Sequence, residues 1–356
     1  MTLWRSRGFG ARLVRAALVP AALLFAAGMR ARRWAYQAGL RPRYRLTLPA
    51  VAVGGLTVGG AGKTPMASWI ARWFEHRGVR PAILLRGYGG DEAEVHRAAV
   101  PGGVVVTGGD RVRSARRAAA AGAQVLVLDD AFQHLRARAD LQVVLVSAAS
   151  LTASRWPLPA GPWRESWGTL IHADLIVLTV KAAPPAAVRD AVQALRARAP
   201  GRPVAVARLA ITGLRGLRSA RPVSLGELPG RRVLAACGIA DPVAFATQLR
   251  AVGAEVTLRA WRDHHPFTGR DVERLLGAAR GADYVVVTAK DATKLRARWP
   301  ADVAEPLVAE LGISWEHGRA EVDRALHRCL GDLPRRVRRR AGANSAGALT
   351  AAAERE

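Results

Sequence analysis

A glycine-rich turn after a short apolar run places the strongest constraint on how this chain folds. Residues 51–53 are Val-Ala-Val, and residues 59–64 read Gly-Gly-Ala-Gly-Lys-Thr. Glycine lets successive backbone N–H groups turn inward around phosphate oxygens, and a following helix adds its positive N-terminal end. Thr57 stands where the full pattern G-x-x-x-x-G-K-[ST] has its first glycine. The segment predicts a strand, a phosphate-binding loop and a helix, with an ordinary glycine-rich turn as the alternative.

The use of lysine supports the phosphate-binding interpretation. The chain has 54 lysines and arginines, of which only four are lysines: Lys63, Lys181, Lys290 and Lys294. Lys63 stands where the β- and γ-phosphates of a nucleotide would lie, and a compact ammonium suits this position better than a planar guanidinium does. Thr64 offers a hydroxyl group to Mg²⁺. The sequence therefore predicts a nucleotide-binding protein.

The net charge of +26 over 356 residues raises the question of a nucleic-acid partner. The arginines are spread along the chain, aromatic residues make up only 6%, and no RNA- or DNA-binding motif is present. We attribute the charge to a composition rich in alanine, arginine and glycine, together with an anionic partner. We expect no nucleic acid and no obligate protein partner. Cys237 and Cys329 are too few for a disulfide framework or a zinc site, which favours a reducing compartment.

The first 50 residues contain ten arginines and no acidic residue, around an apolar stretch at residues 16–29. This stretch is shorter than the roughly 20 residues that a helix needs to span a bilayer. No convincing small-residue cleavage site follows it, so a cleaved signal peptide does not fit. We predict that residues 1–40 lie on an anionic membrane surface, with arginines on headgroups at about 1 kcal/mol each. A buried N-terminal helix is the alternative.

Short apolar runs alternate with helical stretches after Pro42. In the first half of the chain these runs lie at residues 51–53, 83–85, 104–107, 125–128, 143–146 and 175–180. A second series lies at residues 204–209, 233–236, 256–258 and 284–288. The alternation predicts an α/β fold of the P-loop NTPase type, with a mainly parallel sheet covered on both faces. We expect a P-loop domain over 41–185, a second, smaller α/β domain over 186–334 and a disordered tail over 335–356.

The apolar run at residues 125–128 ends in two carboxylates, Asp129 and Asp130. In P-loop proteins an acid at the tip of such a strand holds Mg²⁺ directly or through water. Gln133 and His134 follow within one helical turn, so we expect them beside the same site in a supporting role.

Further polar residues allow both structural and functional interpretations. Asp91 and Glu92 follow a glycine-rich loop, where adjacent acids are usually solvated turn residues. Residues 263–265 read Asp-His-His. Adjacent histidines point apart on a strand, so proton transfer by a histidine paired with a carboxylate is better supported than a metal site. Lys290 and Lys294 form either a phosphate-facing patch or a plain helix start.

Taken in order, these segments resemble the tetraacyldisaccharide 4'-kinases, the lipid A 4'-kinases of Gram-negative bacteria. The family pattern V-G-N-L-T-x-G-G-x-G-K-T-P corresponds to residues 53–65, and threonine at the first loop position is usual there. Eight further family motifs have counterparts in this sequence. In the first half they are R-G-Y-G at residues 86–89, G-D-E at 90–92, D-R at 110–111, D-D-G-F-Q-H at 129–134 and L-P-A-G-P-x-R-E at 158–165. In the second half they are G-I-x-x-P at residues 238–242, D-H-H at 263–265 and K-D-x-x-K-L at 290–295. Among the departures, Ala131 replaces a glycine, Leu85 replaces a usual serine, and the family's longer segment between R-G-Y-G and G-D-E is almost absent.

The resemblance implies a kinase that transfers the γ-phosphate of ATP to the 4'-hydroxyl of an acylated glucosamine disaccharide 1-phosphate lipid, giving lipid IVA. It implies a peripheral or monotopic protein on the cytoplasmic face of the bacterial inner membrane. The implied ATP-binding residues are Thr57, Val58, Gly59, Gly60, Ala61, Gly62, Lys63, Thr64 and Arg86. The implied Mg²⁺ ligands are Thr64, Asp129, Asp130 and Glu92. Lys63 would act in catalysis, and Asp91, oriented by or sharing a proton with His264, would be the base for the sugar hydroxyl.

Two other functional classes remain as alternatives. One is a membrane-associated P-loop NTPase of another class, but those with a Gly-Lys-Gly-Gly loop carry lysine where Val58 stands here. The other is a basic nucleic-acid- or membrane-binding module with a vestigial nucleotide site, which predicts strongly salt-dependent DNA binding and no turnover.

Overall fold

The computed structural model describes residue 4 and residues 8–87, 90–151 and 154–331. The tail predicted over 335–356 lies outside the described residues. The first half of the chain forms helices α1 (Phe9–Ala17), α2 (Val19–Gln37), α3 (Lys63–Glu75), α4 (Asp91–Ala99), α5 (Arg111–Ala120) and α6 (Ala148–Leu151). Its strands are β1 (Tyr44–Arg45), β2 (Ala50–Gly55), β3 (Pro81–Leu85), β4 (Val104–Thr107), β5 (Val125–Leu128), β6 (Ala137–Arg138), β7 (Leu141–Ser147) and β8 (Leu175–Val180).

The second half continues the alternation of strands and helices. Its helices are α7 (Pro185–Arg198), α8 (Pro242–Ala251), α9 (Gly269–Ala279), α10 (Ala289–Leu295) and α11 (Arg319–Gly331). Its strands are β9 (Val204–Gly216), β10 (Pro222–Val223), β11 (Arg232–Cys237), β12 (Glu255–Ala260), β13 (Tyr284–Thr288) and β14 (Leu307–His317). Short 3₁₀ helices lie at Trp167–His172 and Leu225–Glu227.

One 12-stranded sheet runs through both halves in the order β12-β11-β13-β14-β9-β8-β7-β2-β5-β3-β4, with β10 paired to β9 off this path. The pairs along this path are parallel except β9 with β14, and β10 also lies antiparallel to β9. The mainly parallel α/β sheet predicted from the apolar runs is confirmed. The sequence analysis missed β14, whose antiparallel pairing with β9 connects the two series of strands.

Successive side chains of the central strand β2 pack on opposite faces of the sheet. Val51 and Val53 are buried in a cluster with Met66, Ile70 and Phe74 of α3. Ala50 and Ala52 belong to a second cluster on the other side, which contains buried residues of α5. Since strands of a parallel sheet are covered on both faces, all six residues of β2 are buried.

The order of the strands assembles one polar edge. The parallel strands β2, β5 and β3 are neighbours, so their carboxyl ends meet at the same edge of the sheet. The phosphate-binding loop follows β2, Asp129 follows β5 and Arg86 follows β3. In open α/β sheets this edge is where ligands bind.

Helices α1 and α2 form a bent N-terminal pair. Among the described residues, no single helix is long and apolar enough to cross a membrane, whereas α1 and α2, bent by 47°, pass the same test of length and composition together. No residue of α1 is buried, and Phe9 and Leu24 are each 76% exposed. The alternative of a buried N-terminal helix is therefore wrong for α1.

A buried ion pair joins α2 to the segment before the first 3₁₀ helix. The Arg33 guanidinium donates a hydrogen bond of 2.8 Å to Glu165 Oε1, and both side chains are nearly inaccessible to water. The guanidinium also lies over the ring of Phe132 at 5.0 Å. This pair holds the N-terminal helix against the edge of the sheet that carries the polar residues.

We expect Glu165→Leu to lower the free energy of unfolding by about 3–5 kcal/mol, because the guanidinium of Arg33 is left buried without its partner. The double variant Arg33→Met/Glu165→Leu should recover most of this loss. Urea unfolding in a fixed detergent measures both. As a control, Glu321→Ala removes an exposed pair with Arg324 and should cost at most about 1 kcal/mol. A loss below about 1 kcal/mol for Glu165→Leu would contradict the role of the buried pair.

Candidate active site

The phosphate-binding loop has the backbone conformation that its sequence predicts. Gly59, Gly60 and Gly62 all have positive φ angles, of 77°, 49° and 78°. Gly62 is the residue before α3, and a Cβ atom at this position would collide with the side chain of Leu209. The left-handed conformation favours glycine at this position, and a larger residue would also displace the side chain of Leu209. The positive N-terminal end of α3 therefore faces the loop.

Lys63 and Asp130 form an ion pair in the middle of the site. Lys63 Nζ lies 3.1 Å from Asp130 Oδ1, and Arg164 Nη1 donates a hydrogen bond of 2.9 Å to Asp130 Oδ2. Burial lowers the pKa of Lys63, although Asp130 opposes this effect. Burial also raises the pKa of Asp130, but the charges of Lys63 and Arg164 outweigh it and the net pKa lies below its ordinary value. Asp130 itself has a left-handed backbone, with φ 49°.

The oxygen atoms near the loop fit a divalent cation. Among the described residues, Asp129 Oδ1 and Gln133 Oε1 are buried without a hydrogen-bond partner, and Thr64 lies in the first turn of α3. Gln133 is oriented by a hydrogen bond of 2.9 Å from its Nε2 to the carbonyl of Gly55. No group of three histidine, cysteine or acidic side chains suited to a metal occurs in the described part of the chain. Mg²⁺ does not need one, because it keeps waters and is commonly held by one or two carboxylates plus substrate phosphates.

His96 is a site residue that the sequence analysis missed. Its Nε2 lies 2.9 Å from Asp129 Oδ2 and its Nδ1 lies 2.8 Å from Ser68 Oγ. The imidazole ring is fully buried. In the sequence His96 resembles any histidine on an amphipathic helix, so only its burial against α3 and β5 reveals these contacts.

Asp91 and His264 meet across the two halves of the chain. His264 Nδ1 lies 3.2 Å from Asp91 Oδ2, although the residues are 173 positions apart. The ammonium of Lys294 lies 3.0 Å from the same oxygen. Burial raises the pKa of Asp91, but Lys294 and the neighbouring positive charges outweigh it, so the net pKa lies below its ordinary value. Asp91 is therefore ionised at neutral pH.

Glu92 has a different partner from the one expected of a metal ligand. Its carboxylate forms an ion pair of 2.5 Å with Lys290 Nζ, at the start of α10. A cation would have to compete with this ammonium for the carboxylate. The role of Glu92 as a ligand therefore stays a prediction, and Asp129 and Asp130 are the better placed carboxylates.

Hydrogen bonds to the Asp271 carboxylate hold the loop that carries His264. His264 has a φ of 61°, a conformation that a residue with a Cβ seldom adopts. The next residue, His265, contacts Asp271 Oδ2 through its Nε2 at 2.9 Å. The same carboxylate accepts hydrogen bonds from the backbone N–H of Thr268 at 2.8 Å and from Trp261 Nε1 at 3.2 Å. These contacts fix the loop so that His264 faces Asp91.

His134 lies in a strongly positive part of the site. Burial and the charges of Arg111, Arg86 and Arg32 lower the pKa of His134 to about 4, so its imidazole is neutral at pH 7. Arg111 is itself buried, and its Nη2 donates to the backbone carbonyl of Asp129 at 3.3 Å. The positive charges of Arg32, Arg86 and Arg111 suit the binding of an anion. Arg32 belongs to α2, so the N-terminal pair contributes to it.

A large cavity, of about 1310 Å³, connects these groups. Its lining comes from both halves of the chain and includes the loop at residues 58–64, Asp129, Asp130 and His264. Thr57 lies outside this lining and is buried, with an isolated β-bridge to Trp163. The lining also includes three of the four lysines, Lys63, Lys181 and Lys290, and the fourth, Lys294, contacts Asp91. The lysines of this arginine-rich chain therefore gather at one site.

A smaller cavity of about 430 Å³ lies between α2 and the segment around the first 3₁₀ helix. Its lining is mostly apolar, with Leu23, Met29, Trp34, Trp163 and Trp167 among its residues. The exposed apolar side chains of α1 and α2 lie on the same N-terminal pair of helices.

Comparison with known proteins identifies the family to which the chain is similar. The family model for tetraacyldisaccharide-1-P 4'-kinase matches residues 14–330. A tetraacyldisaccharide 4'-kinase of Anaeromyxobacter sp. (strain K) is 38% identical over 361 residues, covering 93% of this chain and 95% of that protein. Another from Geobacter metallireducens is 37% identical over 330 residues, covering 85% of this chain and 92% of that protein.

A solved structure shares the fold. LpxK from Aquifex aeolicus, described as an "apo" form in complex with ATP, superposes with a TM-score of 0.69 at 24% identity. The match covers 89% of this chain and 99% of that chain. From the family match over most of its length and the similarity to the relatives, the chain belongs to the tetraacyldisaccharide 4'-kinase family.

Proposed function

We propose that the protein transfers the γ-phosphate of ATP to the 4'-hydroxyl of a tetraacyldisaccharide 1-phosphate lipid, giving lipid IVA. One observation carries the proposal beyond family membership. Lys63 of the phosphate-binding loop and His264 belong to opposite halves of the chain, yet both line one cavity, and His264 contacts Asp91 of the first half. Two reactants can therefore be held side by side, one on each half.

ATP is the proposed phosphate donor. The structural relative from Aquifex aeolicus is described in complex with ATP, and the glycine-rich loop of this chain offers a phosphate cradle. Backbone N–H groups of residues 59–64 and the Lys63 ammonium would bind the β- and γ-phosphates. Lys63 would then exchange its contact with Asp130 for the phosphate oxygens.

Mg²⁺ is the proposed cofactor, with Thr64, Asp129 and Asp130 as the residues that would hold it. The buried Asp129 Oδ1, which lacks a hydrogen-bond partner among the described residues, supports this choice. When bound, the ion would neutralise negative charge on the phosphate oxygens. Gln133 follows Asp129 and Asp130 in the chain and would support these ligands.

In the proposed reaction, the 4'-oxygen of the sugar forms a bond to the γ-phosphorus while the bond between this phosphorus and the β–γ bridging oxygen breaks. ADP leaves, and the hydroxyl proton passes to the Asp91–His264 pair, of which His264 lines the cavity. His264 orients Asp91 and can share this proton through their contact at 3.2 Å. Since the transition state of phosphoryl transfer is loose, positioning and charge neutralisation supply most of the rate enhancement. An ionised Asp91 is in the correct state to accept the proton.

The lipid substrate is proposed to reach the site from the membrane surface. The exposed apolar residues of α1 and α2 would enter the leaflet, and arginines of the N-terminal segment would meet anionic headgroups and the 1-phosphate. Arg32 supports this because it belongs to α2 and lines the cavity. The protein would then work as a peripheral or monotopic enzyme on the cytoplasmic face of the inner membrane.

One assay tests the proposal as a whole. Purified protein is incubated with ATP labelled at the γ-phosphate and with detergent-dispersed disaccharide 1-phosphate lipid. We expect label in the lipid. Label found only in inorganic phosphate would instead favour an NTPase of another class.

We expect Lys63→Ala to abolish transfer and leave the fold intact, because the loop lysine neutralises charge that grows towards the transition state. Lys63→Arg should restore little activity, since a planar guanidinium does not fit the cradle of a compact ammonium. The labelled-lipid assay and far-UV circular dichroism measure the two effects. Activity near the wild-type rate in either variant would contradict the assignment of the nucleotide site.

We expect Asp91→Ala and His264→Ala each to lower the turnover number by about 10²-fold or more, the usual scale for a lost general base. Affinity for ATP should change little. The double variant should be scarcely slower than the slower single variant, because the two residues act as a unit. Two exposed residues, His76 and Asp302, provide matched alanine controls. Losses that multiply would show that Asp91 and His264 act separately.

We expect deletion of residues 1–30 to move the protein from the membrane fraction to the soluble or aggregated fraction. A sharper variant, Phe9→Ser/Leu13→Ser/Leu24→Ser, keeps every arginine and removes three exposed apolar side chains. Wild-type protein should resist extraction at about 1 M salt, where electrostatic attraction is screened, whereas the triple variant should be released. Release of the wild-type protein by salt alone would refute insertion into the leaflet.

A further inference from the structure

His96 joins two elements of the active site and is not used by the mechanism above. It lies on α4, five residues after Asp91, and its ring is fully buried. One ring nitrogen contacts Ser68 of α3 at 2.8 Å, and the other contacts Asp129 at the end of β5 at 2.9 Å. A fully buried imidazole with both nitrogens paired is a fixed element, because neither contact can be replaced by water.

The carboxylate of Asp129 determines the direction of its hydrogen bond with His96. An ionised Asp129 carboxylate can only accept, so His96 Nε2 carries a hydrogen and donates it to Oδ2. Nδ1 is then the nitrogen that pairs with the hydroxyl of Ser68, which can donate or accept. His96 thus occupies Oδ2 of the carboxylate. The other oxygen, Asp129 Oδ1, is buried and has no hydrogen-bond partner among the described residues. One oxygen of the carboxylate is therefore occupied by the histidine and the other remains for a cation.

The contact with Ser68 extends this arrangement back to the phosphate-binding loop. Ser68 and Thr64 are four residues apart on α3, so they lie on the same face of the helix, one turn apart. Thr64 and Asp129 are two of the proposed Mg²⁺ ligands. The hydrogen-bonded chain Ser68–His96–Asp129 thus connects the helix that carries one ligand with the strand that carries the other.

We propose that His96 is a positioning residue that holds the Asp129 carboxylate in the orientation required to bind the nucleotide-associated divalent cation. The inference rests on the proposed function, because it takes Asp129 as a ligand of that cation. Partners of this kind fix the orientation of ligating side chains, and their loss typically weakens metal binding or activity by 10- to 100-fold. His96 also ties the ligand to α4, the helix that begins with Asp91.

The test measures metal binding directly. Free Mn²⁺ is followed by electron paramagnetic resonance during titration of the full-length protein in the presence of AMP-PNP, a non-hydrolysable ATP analogue. We expect His96→Leu to weaken Mn²⁺ binding by about 10- to 100-fold. Binding of AMP-PNP without metal should stay within about twofold, because the loop and Lys63 are unchanged. A merely structural role would weaken both affinities alike.

Two further variants keep the test decisive if His96→Leu folds poorly. His96→Gln retains a side-chain N–H that can reach Asp129, so its Mn²⁺ affinity should lie close to that of the wild type. Ser68→Ala removes the outer contact alone, so we expect a smaller loss of Mn²⁺ affinity, below about tenfold. His327→Leu is a matched control, because His327 packs on Trp73 through its ring at 4.7 Å and has no contact with Asp129.

Unchanged Mn²⁺ affinity in His96→Leu, or equal losses of Mn²⁺ and metal-free AMP-PNP binding, would overturn the inference. The same holds if His96→Gln is as defective as His96→Leu. Failure of the wild-type protein to bind AMP-PNP at all would be a different result, since it would refute the proposed nucleotide site itself.

Discussion

The pairing of buried and partly buried charges determines how this site is built. An ionised side chain that leaves water needs a partner, since the penalty for an uncompensated buried charge is several kcal/mol. Lys63 has Asp130, Asp91 has Lys294 and His264, and Glu92 has Lys290. The partners of Asp91 and Glu92 come from the second half of the chain. The two halves are therefore held together by these ion pairs, of which Glu92, Lys290 and His264 also line the cavity, in addition to the continuous sheet.

The same arrangement explains why the site suits phosphoryl transfer. Cations surround the place where phosphate oxygens would lie, and Asp91, the proposed base, is kept ionised by an ammonium that belongs to the other half of the chain. Asp130, with its strained backbone at φ 49°, is held between Lys63 and Arg164. Strain of this kind persists only where the surroundings impose it, and it is typical of functional sites.

Much of the fold could be predicted because it is encoded locally. Apolar runs of three to six residues predicted the strands, and the glycines at 59, 60 and 62 predicted the loop. The contacts of His96 could not be predicted, since its partners lie 28 and 33 positions away and depend on how α4 packs. The long antiparallel strand β14 was missed because eight of its 11 residues are exposed or partly exposed, so it lacks a continuous apolar run. The predicted domains over 41–185 and 186–334 stay predictions, since one sheet runs through both.

The central claim is that the two halves together direct the γ-phosphate to one hydroxyl of a lipid. The most direct measurement is ³¹P nuclear magnetic resonance of the lipid product after complete turnover with ATP. The account predicts one new phosphomonoester signal, coupled to the proton at position 4' of the sugar, with the original 1-phosphate signal unchanged. A new phosphate on another hydroxyl, a diphosphate at position 1, or inorganic phosphate as the sole product would contradict it.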